Sequence, residues 1–202
     1  MKKYNDITVG VLALQGDFER HQTQIQEIGA ETLQVKLPTD LERIDALIIP
    51  GGESTTMDKL IDQFDLREPI AEFAEAKPIW GTCAGMIMVS KNIDNNLSNV
   101  KPLKLMDIDV VRNGYGRQIY SFEEKLDVKL NGITSKLNAC FIRAPKVVRF
   151  GENVNSLAHY EKSPVLVSEN NILASSFHTE LDNDTTLLRY FLDHFLLAKT
   201  GN

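Results

Sequence analysis

The sequence predicts an α/β fold: a mostly parallel sheet with an antiparallel extension. Three observations carry that expectation. Apolar runs such as Ile7-Thr8-Val9-Gly10-Val11-Leu12-Ala13-Leu14 and Ala46-Leu47-Ile48-Ile49 are nearly uniform rather than alternating, as strands covered on both faces are. In the first half these runs alternate with amphipathic helical stretches, which implies right-handed βαβ units. After Pro102, short strand candidates follow one another closely, extending the sheet and adding an antiparallel ribbon.

In chain order, a strand over 7–14 leads to a helix over 17–28, with Phe18, Ile25 and Ile28 on one face and Gly29 as its stop signal. A second strand falls at 32–37 and a third at 46–49, ending at Pro50-Gly51-Gly52. Residues 54–76 read as helix interrupted near Pro69. Pro78-Ile79-Trp80-Gly81-Thr82 forms a short strand running straight into Cys83, and helix resumes over 84–90. Strand candidates follow at 106–111, 126–130, 138–143, 156–160, 165–168 and 172–177. A last helix covers 185–198, with Leu188, Phe191, Leu192, Phe195 and Leu196 as its apolar positions.

The 202 residues are 43% hydrophobic and 25% charged, which fits one domain over 1–202 with a continuous core. A net charge of −6 without a Lys or Arg run sets nucleic-acid binding aside. The apolar segment 7–14 is too short to cross a bilayer or form a signal core, so no membrane association is expected. The two cysteines, Cys83 and Cys140, lie far apart without metal-type spacing. A cytoplasmic, reducing setting is the expectation.

In an open parallel sheet, ligands bind beyond the carboxyl ends of the strands. Four such ends carry unusual residues: Gln15-Gly16, Pro50-Gly51-Gly52-Glu53-Ser54, Gly81-Thr82-Cys83-Ala84-Gly85 and Phe177-His178-Thr179-Glu180. The third has the form of a nucleophile elbow with Cys in place of Ser. A sharp strand-to-helix turn demands small neighbours, which Gly81, Ala84 and Gly85 supply. The helix that follows aims free N–H groups toward the sulfur, and the Ala84 N–H is placed to hold an oxyanion. The plainer alternative is a buried, inert thiol. His178 and Glu180, two apart in extended chain, can face one side, so that Glu180 orients the ring and His178 serves Cys83 as general base. A surface His beside a solvated Glu is the alternative.

The paired glycines at 51 and 52 permit close backbone approach to a ligand. Ser54 can contact that ligand or cap the helix that follows. A phosphate loop is excluded by the missing Gly-Lys-Ser ending. Cys140 reads as a core thiol, His21 and His194 as structural or surface residues, and His159 as a strand residue without an obvious partner. Asp107 and Asp109 read as solvated strand positions. Arg112, Arg117 and Arg143 flank turns where guanidinium groups often meet carboxylates.

With these residues assembled, the chain resembles the class I, triad-type glutamine amidotransferases, and more narrowly the glutaminase subunits of pyridoxal 5′-phosphate synthase. The motifs are Gly10-Val11-Leu12-Ala13-Leu14-Gln15-Gly16, residues 50–56, Gly81 to Gly85, Arg112-Asn113-Gly114-Tyr115-Gly116-Arg117-Gln118, Phe141-Ile142-Arg143-Ala144-Pro145 and Ser176-Phe177-His178-Thr179-Glu180-Leu181. They fall in family order over nearly the whole chain, and the two arginine segments select the narrower group. The resemblance implies a three-layer, flavodoxin-like α/β/α fold. It implies hydrolysis of L-glutamine to glutamate and ammonia with no metal or organic cofactor. By motif match, Cys83, His178 and Glu180 would form the triad. Gly52, Glu53, Ser54, Arg112, Ile142 and Arg143 would bind glutamine, and the Gly52 and Ala84 amides would form the oxyanion hole. The implied partner is the barrel-shaped synthase (lyase) subunit, in a hetero-oligomer that makes pyridoxal phosphate.

One position departs from the family pattern. Thr179 stands between the His and the Glu, where the family usually has Pro. Thr keeps an extended preference and adds an N–H donor. Three rival readings are the glutaminase subunit of another synthase, such as that of histidine biosynthesis, a cysteine hydrolase or peptidase on the same fold, and a catalytically silent regulatory subunit.

Overall fold

A computed structural model of the chain describes residues 3–94, 99–115, 121–182 and 184–198. The first half runs β1 (Thr8–Leu12), α1 (Phe18–Glu27), β2 (Glu31–Val35), a 3-10 helix (Pro38–Arg43), β3 (Ala46–Ile49), α2 (Ser54–Gln63), α3 (Arg67–Ala76), β4 (Ile79–Thr82) and α4 (Ala84–Val89). Eight strands follow: β5 (Ser90–Asp94), β6 (Met106–Val111), β7 (Ser121–Leu130), β8 (Ile133–Ile142), β9 (Lys146–Phe150), β10 (Asn155–Tyr160), β11 (Ser163–Glu169) and β12 (Ile172–Ser175). The last helix, α5 (Thr186–Phe191), continues as a π-helical stretch, Leu192–Leu197.

The central sheet has the order β10-β11-β12-β4-β3-β1-β2. Its pairs from β2 to β12 are parallel, whereas β12–β11 and β11–β10 are antiparallel. This is the mostly parallel sheet with an antiparallel extension that the alternation of elements implies. Apolar residues occupy successive strand positions because both faces are covered. In β3, Ala46 and Ile48 pack with Ile25 of α1 and Phe191 of α5, whereas Leu47 and Ile49 pack with Met57 and Ile61 of α2 and Ile70 of α3. Helices therefore flank the sheet on both sides, in three layers of flavodoxin-like form.

The second half departs from the sequence expectation in detail. β7 and β8 form a long hairpin, paired from Ser121–Ile142 to Leu130–Ile133, so each strand begins five residues before its expected start. Strands β5 and β9 were not expected. They flank β6 in a separate three-stranded sheet, and Ser90 belongs to β5 rather than to the preceding helix. The helical break falls at Asp65, with φ 54°, rather than at Pro69. Pro69 sits in the first turn of α3, where its missing N–H costs no hydrogen bond. Strand β12 ends at Ser175, leaving Ser176-Phe177 in a bend before His178 forms an isolated bridge to Cys140. Of the Arg112–Gln118 motif, Gly116, Arg117 and Gln118 lie outside the described residues. Among the described residues no helix is long and apolar enough to cross a membrane.

Candidate active site

Strands β3, β4 and β12 lie side by side in the sheet, and their carboxyl ends deliver three of the four expected segments to one place. Cys83 follows β4 directly, and its N–H donates to the Ser175 carbonyl at 2.8 Å. Its backbone is held at φ 50°, ψ −104°, a conformation that L-residues rarely adopt and that surrounding structure must enforce. The enforcement comes from small neighbours. A β-carbon at Gly81 would collide with the Gly85 carbonyl, and one at Gly85 with the Ile49 carbonyl. Ala84 opens α4, every residue of which is buried.

His178 is fixed by a two-way backbone bridge to Cys140 on β8: its N–H donates to the Cys140 carbonyl at 2.8 Å, and the Cys140 N–H returns at 3.3 Å. Its Nδ1 lies 2.5 Å from Oε1 of Glu180, and Glu180 is only 4% exposed. The loop holding both residues is tied to α1 by Gln24. The Gln24 amide donates to the carbonyls of Thr179, Asp182 and Asp184 at 2.9, 3.0 and 3.2 Å.

Burial opposes charge on His178, yet the Cys83 side chain within hydrogen-bonding reach and the Glu180 carboxylate outweigh it and raise the pKa of the ring. Burial likewise pushes Glu180 up, but His21 and His178 outweigh it and hold the carboxyl below its ordinary range. The Cys83 sulfur also lies 3.8 Å from the Ile142 carbonyl.

Glu53, not Ser54, caps α2. Its carboxylate accepts the N–H groups of Thr55 and Thr56 at 3.0 and 2.7 Å and the Thr56 hydroxyl at 2.9 Å. The longer side chain reaches back to the second and third helical amides, while Ser54 becomes the first residue of the helix and is buried. Arg112 Nη2 donates to Glu53 Oε1 at 3.0 Å. Burial pushes Glu53 up, but the Thr55 and Thr56 donors outweigh it and hold the carboxyl at about 2. Gly52 has φ +134° and packs against the Gln15 side chain, whose Oε1 accepts the Glu53 N–H at 2.9 Å. Arg143, at the end of β8, has φ 45°.

One cavity of about 290 Å³ collects these groups. Gly52, Glu53, Ser54, Cys83, Ala84, Arg112, Ile142, Arg143 and His178 all line it, together with Asp17, Gly51, Ile87, Asn113 and Leu181. Glu180 stands behind His178 instead of in the wall. Every site residue expected from the sequence is therefore brought to one locality. The cavity pairs a thiol and an imidazole with two guanidinium groups and two carboxylates, groups of both signs such as a small amino acid carries.

Other residues singled out in the sequence lie outside the cavity wall. Cys140 is half-buried; it lines a separate cavity of about 220 Å³ that also touches His178. His159 contacts the Ser156 hydroxyl at 3.2 Å, and His194 contacts Asn131 Oδ1 at 2.7 Å. Asp107 and Asp109 are held by Arg149 at 2.5 and 2.7 Å. His21, read as structural or surface, is fully buried beside Glu180. Asp17 and Asn113 also line the cavity, although neither carries a role in the sequence reading; Asn113 stands there only as part of the 112–118 motif. Asn113 carried a weak signal, an Asn before Gly in a turn. Among the described residues no cluster of His, Cys, Asp or Glu could hold a metal ion.

Comparison with known proteins agrees with this geometry. Residues 11–197 match the model of the SNO glutamine amidotransferase family. The chain is 47% identical over 186 residues to the pyridoxal 5′-phosphate synthase subunit PdxT of Thermosipho africanus, covering 92% of this chain and 97% of that one. It is 48% identical over 195 residues to the subunit of the same name from Dehalococcoides mccartyi, covering 95% and 97%. A solved structure described as a glutamine amidotransferase superposes with a TM-score of 0.85 at 42% identity, covering 92% of this chain and 97% of that one. PurLQS from Thermotoga maritima, at 15% identity and a TM-score of 0.69, shares the fold. The chain belongs to the SNO glutamine amidotransferase family.

Proposed function

We propose that this chain hydrolyses L-glutamine to L-glutamate and ammonia through a thioester on Cys83, and that it supplies the ammonia to a synthase subunit making pyridoxal 5′-phosphate. One observation carries the chemistry. Glu180 occupies Nδ1 of His178 at 2.5 Å, which leaves Nε2 for the sulfur of Cys83 in the same cavity. His178 takes the thiol proton, and the sulfur attacks the side-chain carbonyl carbon of glutamine. The Gly52 and Ala84 amides receive the developing oxyanion. The same proton then passes from His178 to the leaving amine, which departs as ammonia. A water molecule, deprotonated by His178, cleaves the thioester and frees glutamate. The raised pKa of His178 suits the donation step. No step calls for a metal or an organic cofactor.

In this reading Arg112 and Arg143 hold the substrate carboxylate. Glu53 faces the ammonium, and Ser54 and Ile142 complete the wall. The whole chain acts as one cytoplasmic amidotransferase domain, joined to the barrel-shaped synthase (lyase) subunit in a hetero-oligomer. The names of the relatives support that partner over the synthase of another pathway.

The test is glutamate release by the chain alone and with an added synthase subunit, alongside copurification of the two. Transfer of glutamine nitrogen into pyridoxal phosphate by the complex is the expected result. Glutamate release with no association would overturn the partner. No glutamate release in either setting would overturn the activity.

A further inference from the structure

A fourth ionisable side chain outside the expected triad lies against it. His21, on the sheet-facing side of α1, is 1% exposed. Its Nε2 stands 3.6 Å from Oε2 of Glu180 and 3.4 Å from Oγ1 of Thr82. The ring meets Trp80 edge-on, with centroids 5.9 Å apart. Nδ1 has no hydrogen-bond partner among the described residues. Oε2 of Glu180 also accepts the Thr179 N–H at 3.0 Å, so the carboxylate is approached on both oxygens.

Burial drives His21 toward its neutral form, against the pull of Glu180. A neutral imidazole carries one N–H. With the hydrogen on Nδ1, a buried donor would go unsatisfied and the Nε2 lone pair would face a carboxylate oxygen, and both are unfavourable. With the hydrogen on Nε2, it points at Oε2 and the Thr82 hydroxyl, and only a lone pair is left unpaired. At 3.6 Å the contact with Glu180 is a charge–dipole interaction rather than a hydrogen bond, strengthened by the burial of both side chains. The other titratable groups acting on the pair are Asp17, at the entry to α1, and His178 on His21, and His178 and Cys140 on Glu180; Cys83 acts on His178, and Glu123 on Cys140.

We propose that His21 is a positioning residue: a neutral imidazole whose Nε2–H steadies Oε2 of Glu180 and so keeps Oε1 aimed at His178. It does so without a second positive charge behind the ring. The inference rests on the triad reading above, because it acts through Glu180.

Two measurements test it. Nitrogen-15 NMR of the four histidines, with His21→Gln used to assign the signal, should show His21 as the neutral Nε2–H tautomer at pH 7. An imidazolium or an Nδ1–H tautomer overturns the proposal. In kinetics, His21→Leu should lower kcat roughly tenfold with KM little changed. The basic limb of its kcat profile should move to lower pH, because a Glu180 less firmly aimed no longer holds the His178 proton as tightly. His21→Gln keeps an N–H donor and should recover most of both effects, even if the leucine variant folds poorly. An unmoved limb in folded variants, with activity falling only as folded protein is lost, overturns the proposal. Cys83→Ser run in parallel separates the two claims: activity surviving in that variant would defeat the triad reading itself, whatever the His21 variants do.

Discussion

The imidazole of His178 lies against the backbone of Gly51 so closely that a β-carbon at position 51 would overlap the ring at Cε1. Gly51 and its neighbour are therefore glycine for different reasons. Gly52, with φ +134°, is required by conformation. Gly51 is required by the space that the ring fills. Gly51→Ala should displace His178 from Cys83 while leaving the core untouched. A shift of about 1 Å at a reacting group costs roughly a hundredfold in rate. Steady-state kinetics should show that loss in kcat with Tm within a few degrees of the parent. An alanine variant of full activity would mean that the ring is free to move.

Glu53 should make stability depend on acid in a defined window. Its folded-state pKa of about 2 lies below the reference 4.5. The stabilisation is fully present above the unfolded value and is lost as pH falls toward the folded one. Glu53→Gln keeps one acceptor oxygen but removes the charge from the cap, and should cost about 1 kcal/mol at neutral pH, less if solvent screens the half-exposed carboxylate. The gap between parent and variant in denaturant unfolding should shrink from pH 5 down to pH 2, on the order of the window set by those two values. A gap that stays constant with pH would show that charge does not supply the cap.

Arg112 and Arg143 should act mainly on substrate binding. Loss of a hydrogen bond to a charged partner costs about 1.5–3 kcal/mol, so either alanine variant should raise KM by about one to two decades. Arg112→Ala also frees the Glu53 carboxylate, which Arg112 holds at 3.0 Å, and should raise KM more than its partner does. Normal KM in both would place these arginines outside the glutamine site.

Thr179 supplies Glu180 with a donor that proline lacks, its N–H lying 3.0 Å from Oε2. Thr179→Pro should lower kcat several-fold, while the Thr179 carbonyl that accepts from Gln24 at 2.9 Å survives. A proline variant with higher kcat would show that stiffness in this dipeptide matters more than the lost donor.

The elbow is legible in sequence because sterics leave few residue types next to a backbone strained as at Cys83, and Gly81, Ala84 and Gly85 are all small. The central strands are legible because two covered faces demand unbroken apolar runs. The edges of the fold are less so. β5, Ser90-Lys91-Asn92-Ile93-Asp94, is mostly polar, and its pairing with β6 is decided by neighbours rather than by its own pattern. The choice between Ser54 as cap and as ligand contact is open in sequence because Ser is a common capping residue, whereas here Glu53 reaches the amides instead. His21 and Gln24 give no sign of their roles in sequence. On an amphipathic helix a polar residue reads as surface, and only the loop that carries Thr179 and Glu180, more than 150 positions away, makes that face polar and buried.

The central claim is a covalent intermediate on Cys83, and mass spectrometry of the intact protein tests it most directly. Treated with an electrophilic glutamine analogue, the protein should gain one adduct, localised by peptide mapping to Cys83 and absent from Cys140. Ammonia release from glutamine should fall in proportion to labelling. Cys83→Ser should neither label nor release ammonia, while remaining folded. An adduct on Cys140, or ammonia release that survives full labelling of Cys83, would contradict the account.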